Sequence, residues 1–145
     1  MNIFICGQKS FGKEVLKALY EKGHNIVGAA PPPQEKYYDK MQGYAIKLGI
    51  PVISDCDRLV SRDIPEETDL VIAAHSHWYI STKIIEKAKE SQVPTYKDNK
   101  LASTLSKLQI GDMIPPELYE VVAEILVFVD DMDRMKAKID QAGVK

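Results

Sequence analysis

Only two cysteines occur in the chain, Cys6 and Cys56, too few and too unpatterned for a disulfide framework or a cysteine-rich metal site. Apolar runs fall far short of the ~20 residues that span a bilayer, and no basic stretch followed by an apolar segment and a small-residue cleavage site opens the sequence. A membrane partner is therefore not expected, and the expected location is the cytoplasm. Neither sign of charge dominates: the formal net charge is −2, with both signs spread along the chain, so the basic footprint required by a nucleic-acid backbone is missing. Internal repeats and low-complexity tracts are also absent.

What remains is an ordinary globular composition, 45% hydrophobic and 28% charged over 145 residues, and a chain of that size can bury roughly 70% of its unfolded surface. The pattern alternates. An apolar run at residues 2–6 leads through Gly7 into Phe11, Val15, Leu16, Ala18 and Leu19 at helical spacing, stopped by Gly23. A second run, 25–30, ends at three prolines (31–33), which cannot continue a strand ladder. Tyr38, Met41, Tyr44, Ala45 and Leu48 predict a helix closed by Gly49, followed by a short third strand at 50–53 and a brief helix from Asp55 to Leu59.

The continuous apolar run 70–74 predicts a fourth strand covered on both faces. Ile80, Ile84, Ile85 and Ala88 give the next helix, 93–96 a fifth strand, and Leu101, Leu105 and Leu108 a further helix. Pro115 and Pro116 then open a long C-terminal helix whose stripe runs through Leu118, Val122, Ile125, Val129, Met132 and Ile139. Strands joined by single helices connect by right-handed crossovers. The expected fold is a single α/β domain over 1–145, doubly wound and Rossmann-like, with five parallel strands in the order 3-2-1-4-5 and helices on both faces.

Such a sheet binds ligands where strand order reverses, between strands one and four, where the loops 6–13 and 74–79 meet. The first loop has the Gly7, Gly12 and Lys13 of a phosphate loop, but Glu14 stands where Ser or Thr must hold magnesium. It also places Lys9 where a dinucleotide fingerprint needs its second glycine. In the second loop His75 and His77, two apart, point to one side if the strand persists and with Cys6 would offer three metal ligands; the plainer reading is two loop histidines with Trp78 as a packing residue. Ser76 has no orienting acid, so no catalytic residue is assigned, and neither a metal nor a cofactor is expected.

Two resemblances divide the chain. Residues 2–15, Gly23-His24, Val27-Gly28, 45–52 and 69–72 resemble the first half of the 10-formyltetrahydrofolate-dependent formyltransferases, in the form of the hydrolase domain of formyltetrahydrofolate dehydrogenase. That family continues with an Asn, a His-x-Ser-x-Leu-Pro segment and a distant Asp, none of which follows His77 here. The resemblance thus implies a remnant folate-side crevice at Gly7, Gln8, Phe11, Gly12, His75, His77 and Trp78 without catalytic groups, and at most weak folate binding.

Residues 83–90, Val93-Pro94, Leu101 and 110–126 resemble the cytoplasmic C-terminal domain of the FlhB-like flagellar and type III export-switch proteins. In that family an Asn-Pro-Thr-His loop cleaves itself when the Asn side chain cyclises onto its own carbonyl, and this sequence has no such tetrapeptide. The resemblance implies a remnant export-gate surface around 94–98 and 115–119. Together the two imply an engineered chimera joined at 77–82, its fragments 1–80 and 81–145, with no selected activity and a new interface between the first-half sheet and the helices at Ile84/Ile85 and 121–125. A residual folate-binding protein and an export-associated interaction domain stand as alternatives, the latter docking its C-terminal helix on export components or on itself.

Overall fold

The computed structural model describes residues 1–32, 39–53, 64–74, 86 and 116–141. In chain order these form β1 (Asn2–Gly7), α1 (Lys9–Glu21), β2 (Asn25–Ala30), α2 (Lys40–Lys47), β3 (Leu70–Ala74) and α3 (Pro116–Gln141). The helix ends are set by the two glycines read as stops. Gly23 and Gly49 take φ of +88° and +74°, a left-handed turn that a side chain opposes, and their N–H groups close the final turns onto the carbonyls of Tyr20 and Ile46.

β1 lies at the centre of a parallel sheet ordered β2-β1-β3. Ile3 pairs with Ile26 on one side and Leu70 on the other, and the register against β2 slips by one residue between Ile3 and Phe4. Successive β1 side chains point to opposite faces. Ile3 and Ile5 face α1, whose Phe11, Val15, Leu16 and Leu19 are buried with Met41 and Ala45 of α2 and Val122 and Val129 of α3. Each of these side chains larger than alanine is worth about 1.5–3 kcal/mol on burial. Phe4 and Cys6 face the other way and form a second fully buried cluster with Ala30, edged by Val27, Ile53, Ile64 and Val71.

The described residues correct the expected architecture in two respects. Three strands are present among them, not five. The third predicted strand is in its expected place beside β2 but shrinks to a single parallel bridge, Ala29 with Val52. Its backbone explains why: the Ile50 N–H is spent on the Ala45 carbonyl at the end of α2, and Pro51 has no N–H to give. Secondly, the three described helices share one face of the sheet, and the other helices predicted lie outside the described residues. Within β3, Leu70 and Ala74 are buried while Ala73 is exposed, so the predicted two-sided cover is incomplete. The fifth strand at 93–96, the brief helix at 55–59, the helix at 101–108 and Ile84 and Ile85 lie outside the described residues. The predicted contact of 121–125 with the first-half core is present through Val122.

The long helix is as the stripe predicted, 26 residues beginning at Pro116. Its outer end is tied down by Lys136, whose Nζ donates to Asp69 Oδ2 at 2.7 Å beside β3. Burial opposes ionisation of Asp69, but the Asn2 N–H (2.8 Å) and the Lys136 ammonium outweigh it and hold the carboxyl below its usual range. The same hydrogen bond raises Lys136. Because the folded carboxyl is the stronger acid, its stabilisation is complete above the ordinary carboxylate pKa and is lost as pH falls through the lowered folded value. Lys136→Met is expected to flatten that acid limb in urea unfolding followed from pH 7 to 2. The change at neutral pH should be about 1 kcal/mol or less, since Lys136 is open to solvent.

Candidate functional site

The β1–β3 junction is where the expected crevice lies, and the structure brings together Gly7, Gly12, Met41 and Ala74 there. Gly7 pairs with Ala74 at the strand ends. A Cβ on Gly7 would lie 2.6 Å from the Ala74 carbonyl oxygen and 2.9 Å from Met41 Sδ; one on Gly12 would lie 2.9 Å from the same sulfur and 3.1 Å from the Gly7 carbonyl carbon. Both glycines are there so that α1 can start against the sheet. What approaches them is the protein's own backbone and Met41, where a phosphate loop would admit ligand.

Gln8 precedes α1 in extended conformation, half-buried, and its side chain makes no cap hydrogen bond. Phe11 is 2% exposed and belongs to the core. His75, His77 and Trp78 lie outside the described residues. Lys13 stands 5.6 Å over the Tyr44 ring, so its ammonium is directed to α2.

The residue that sequence reasoning missed is Asp39. Its carboxylate accepts the N–H of Lys9 at 2.8 and 3.0 Å and that of Met41 at 3.0 Å, capping the first turns of α1 and α2 together. Lys9 reaches it with φ of +58°, the one non-glycine residue in the left-handed region among those described. Lys40 Nζ adds a bond to Ser10 Oγ at 3.1 Å across the same pair of helices. The positive end of α1, which in a nucleotide-binding loop receives an anion, is thus already neutralised by a carboxylate of the same chain.

Cys6 cannot serve as nucleophile or ligand in the buried second cluster: desolvation pushes its thiol up to about 12. No group of three metal-ligating side chains occurs among the described residues. The junction as described is a packed joint between β1, α1, α2 and β3.

A second surface lies on α3. Val122 and Val129 are buried, while Tyr119 (52%) and Val127 (60%) are exposed large apolar side chains on the same helix. His24, buried after α1, places Nε2 at 3.7 Å from Asp130 Oδ1, where α3 passes the α1–β2 turn. No described helix is long and apolar enough to cross a membrane.

Comparison with known proteins bears on this second surface. Residues 69–129 match the model of the FlhB HrpN YscU SpaS family. The uncharacterized protein YlqH of Bacillus subtilis (strain 168) is 36% identical over 62 residues, which cover 43% of this chain and 67% of the relative. The family match begins at Asp69, so β3 belongs to it, and it runs without a break across 77–82, where a join was expected. Neither finding supports the formyltransferase resemblance of residues 1–77 or a fused origin; both support the export-switch resemblance.

Proposed function

The chain belongs, through residues 69–129, to the FlhB HrpN YscU SpaS family, and on that premise we propose that it acts in the cytoplasm as an interaction domain of the flagellar or type III export system, without enzymatic activity and without self-cleavage. The observation that supports this reading most is the family match itself, which runs from β3 to the middle of α3 and includes the exposed Tyr119 and Val127.

The family's self-cleaving loop needs an Asn side-chain amide. Ser76-His77 is the chain's one Ser/Thr-His step, and Ala74-His75 precedes it where the family loop has Asn-Pro. Ala74 ends β3, within the matched segment, and has no amide to cyclise. The protein then keeps β3 and α3 in one unbroken chain and presents a constant surface where its relatives present a cleaved one.

The test is a fluorescence titration of the full chain against purified cytoplasmic domains of export-apparatus proteins, with intact-mass spectrometry of the same sample. Saturable binding by an unbroken chain, weakened about tenfold or more by Tyr119→Ala with Val127→Asp, is expected. Fragmentation at residue 74, or binding to none of the export components, overturns the reading.

A further inference from the structure

The apolar pattern of α3 is richer than its contact with the core requires. Val122 and Val129 make that contact. About 90° around the helix, at 100° per residue, a second series runs through Val121, Ile125, Phe128, Met132, Met135 and Ile139, at alternating steps of four and three. That is the seven-residue repeat of a helix-pairing seam. Its first half is largely absorbed by the fold, since Val121, Ile125 and Phe128 are half-buried against the core, with part of the Phe128 side chain still accessible at the edge of the outer half. Its second half is not: Met135 is 50% and Ile139 54% exposed. This outer half also lies beyond Val129, where the family match ends.

We propose that the outer half of α3 docks antiparallel on the same segment of a second copy of this chain. In that register Met132 packs on Met135 of the second copy and Phe128 on its Ile139, each contact occurring twice about a two-fold axis. Charge selects the orientation. The residues that flank the seam on its solvent side, Asp131 and Lys138, are both exposed and lie one repeat apart. Antiparallel pairing sets Asp131 of each copy against Lys138 of the other, with no like-charge pair between these flanks. Parallel pairing would instead set Asp131 and Lys138 against the opposite flank, where Val129 is sealed in its own core and Lys136 is held by Asp69. The exposed Asp131–Arg134 contact at 3.9 Å is too weak to withhold Asp131 from a partner. The seam lies outside the surface assigned to export components, so the inference stands or falls independently of that reading.

Sedimentation equilibrium of the full chain tests it. The expected result is a concentration-dependent rise from 16.3 kDa towards twice that mass. Met135→Glu with Ile139→Glu, at exposed positions and with helicity checked by circular dichroism, should leave monomer only. Asp131→Lys alone and Lys138→Glu alone each create two like-charge pairs in a symmetric dimer and should raise its dissociation constant about tenfold. An equimolar mixture of those two single variants restores an opposite-charge pair at both positions and should dimerise as the unaltered chain does. A chain that stays monomeric, a dimer indifferent to Met135 and Ile139, or a mixture that fails to recover overturns the proposal.

Discussion

Gly7→Ala is expected to destabilise the protein by about 3 kcal/mol, the upper range for forcing a methyl group into a packed interior. The added Cβ meets the Ala74 carbonyl oxygen at 2.6 Å, and that oxygen belongs to a strand paired with β1 over its whole length, so it cannot step aside without breaking the ladder. Met41 Sδ, the second obstacle, is the far end of a flexible side chain. Shortening it with Met41→Ala should therefore fail to rescue Gly7→Ala, yet should partly rescue Gly12→Ala, whose nearest neighbour is that sulfur. Urea unfolding of the single and double variants separates the two cases. A stability loss for Gly7→Ala of less than about 1 kcal/mol would mean that the junction is not the tight joint described.

Asp39→Ala should cost about 2–3 kcal/mol, more than an ordinary cap, because one carboxylate serves two helices. Its removal leaves the N–H groups of Lys9 and Met41 without their acceptor and takes a negative charge from the positive ends of both α1 and α2. Asp39→Asn keeps an acceptor oxygen and loses the charge, so it should recover roughly half of the deficit. Hydrogen exchange read at Lys9 and Met41 locates the damage: both amides should lose protection together in Asp39→Ala. Loss at Met41 alone would show that the reach to α1 contributes nothing.

The contrast between Gly7 and Asp39 shows what the sequence makes legible. β1, α1 and β2 were readable because local periodicity sufficed: Phe11, Val15, Leu16 and Leu19 fall on one helical face, and Gly23 stops them. The start of α2 could have been placed at Asp39 by the ordinary preference for Asp at a helix entrance. Its second role could not, since the Lys9 amide lies 30 residues away and only the tertiary fold brings it there. The glycines of the first loop were read as a failed phosphate loop when their positions answer a packing demand from Met41 and Ala74. The third strand was misjudged because an apolar run says nothing of which N–H groups are already engaged at Ile50 and Pro51. Short motifs at 2–15 and 69–72 suggested a second family, and the family match instead takes in 69–72 and runs on through 77–82.

The central place of β1 has a consequence for how the polypeptide matures. β1, which holds β2 and β3 together, is synthesised before either of them, and β3 begins 68 residues after β1 begins. At about 5–20 residues per second, one side of β1 waits roughly 3–14 s for its neighbour. A fragment starting at residue 69 would present β3 without β1, its partner among the described residues. The central strand is thus made early and completed late, its second flank left open until Leu70–Ala74 has been translated.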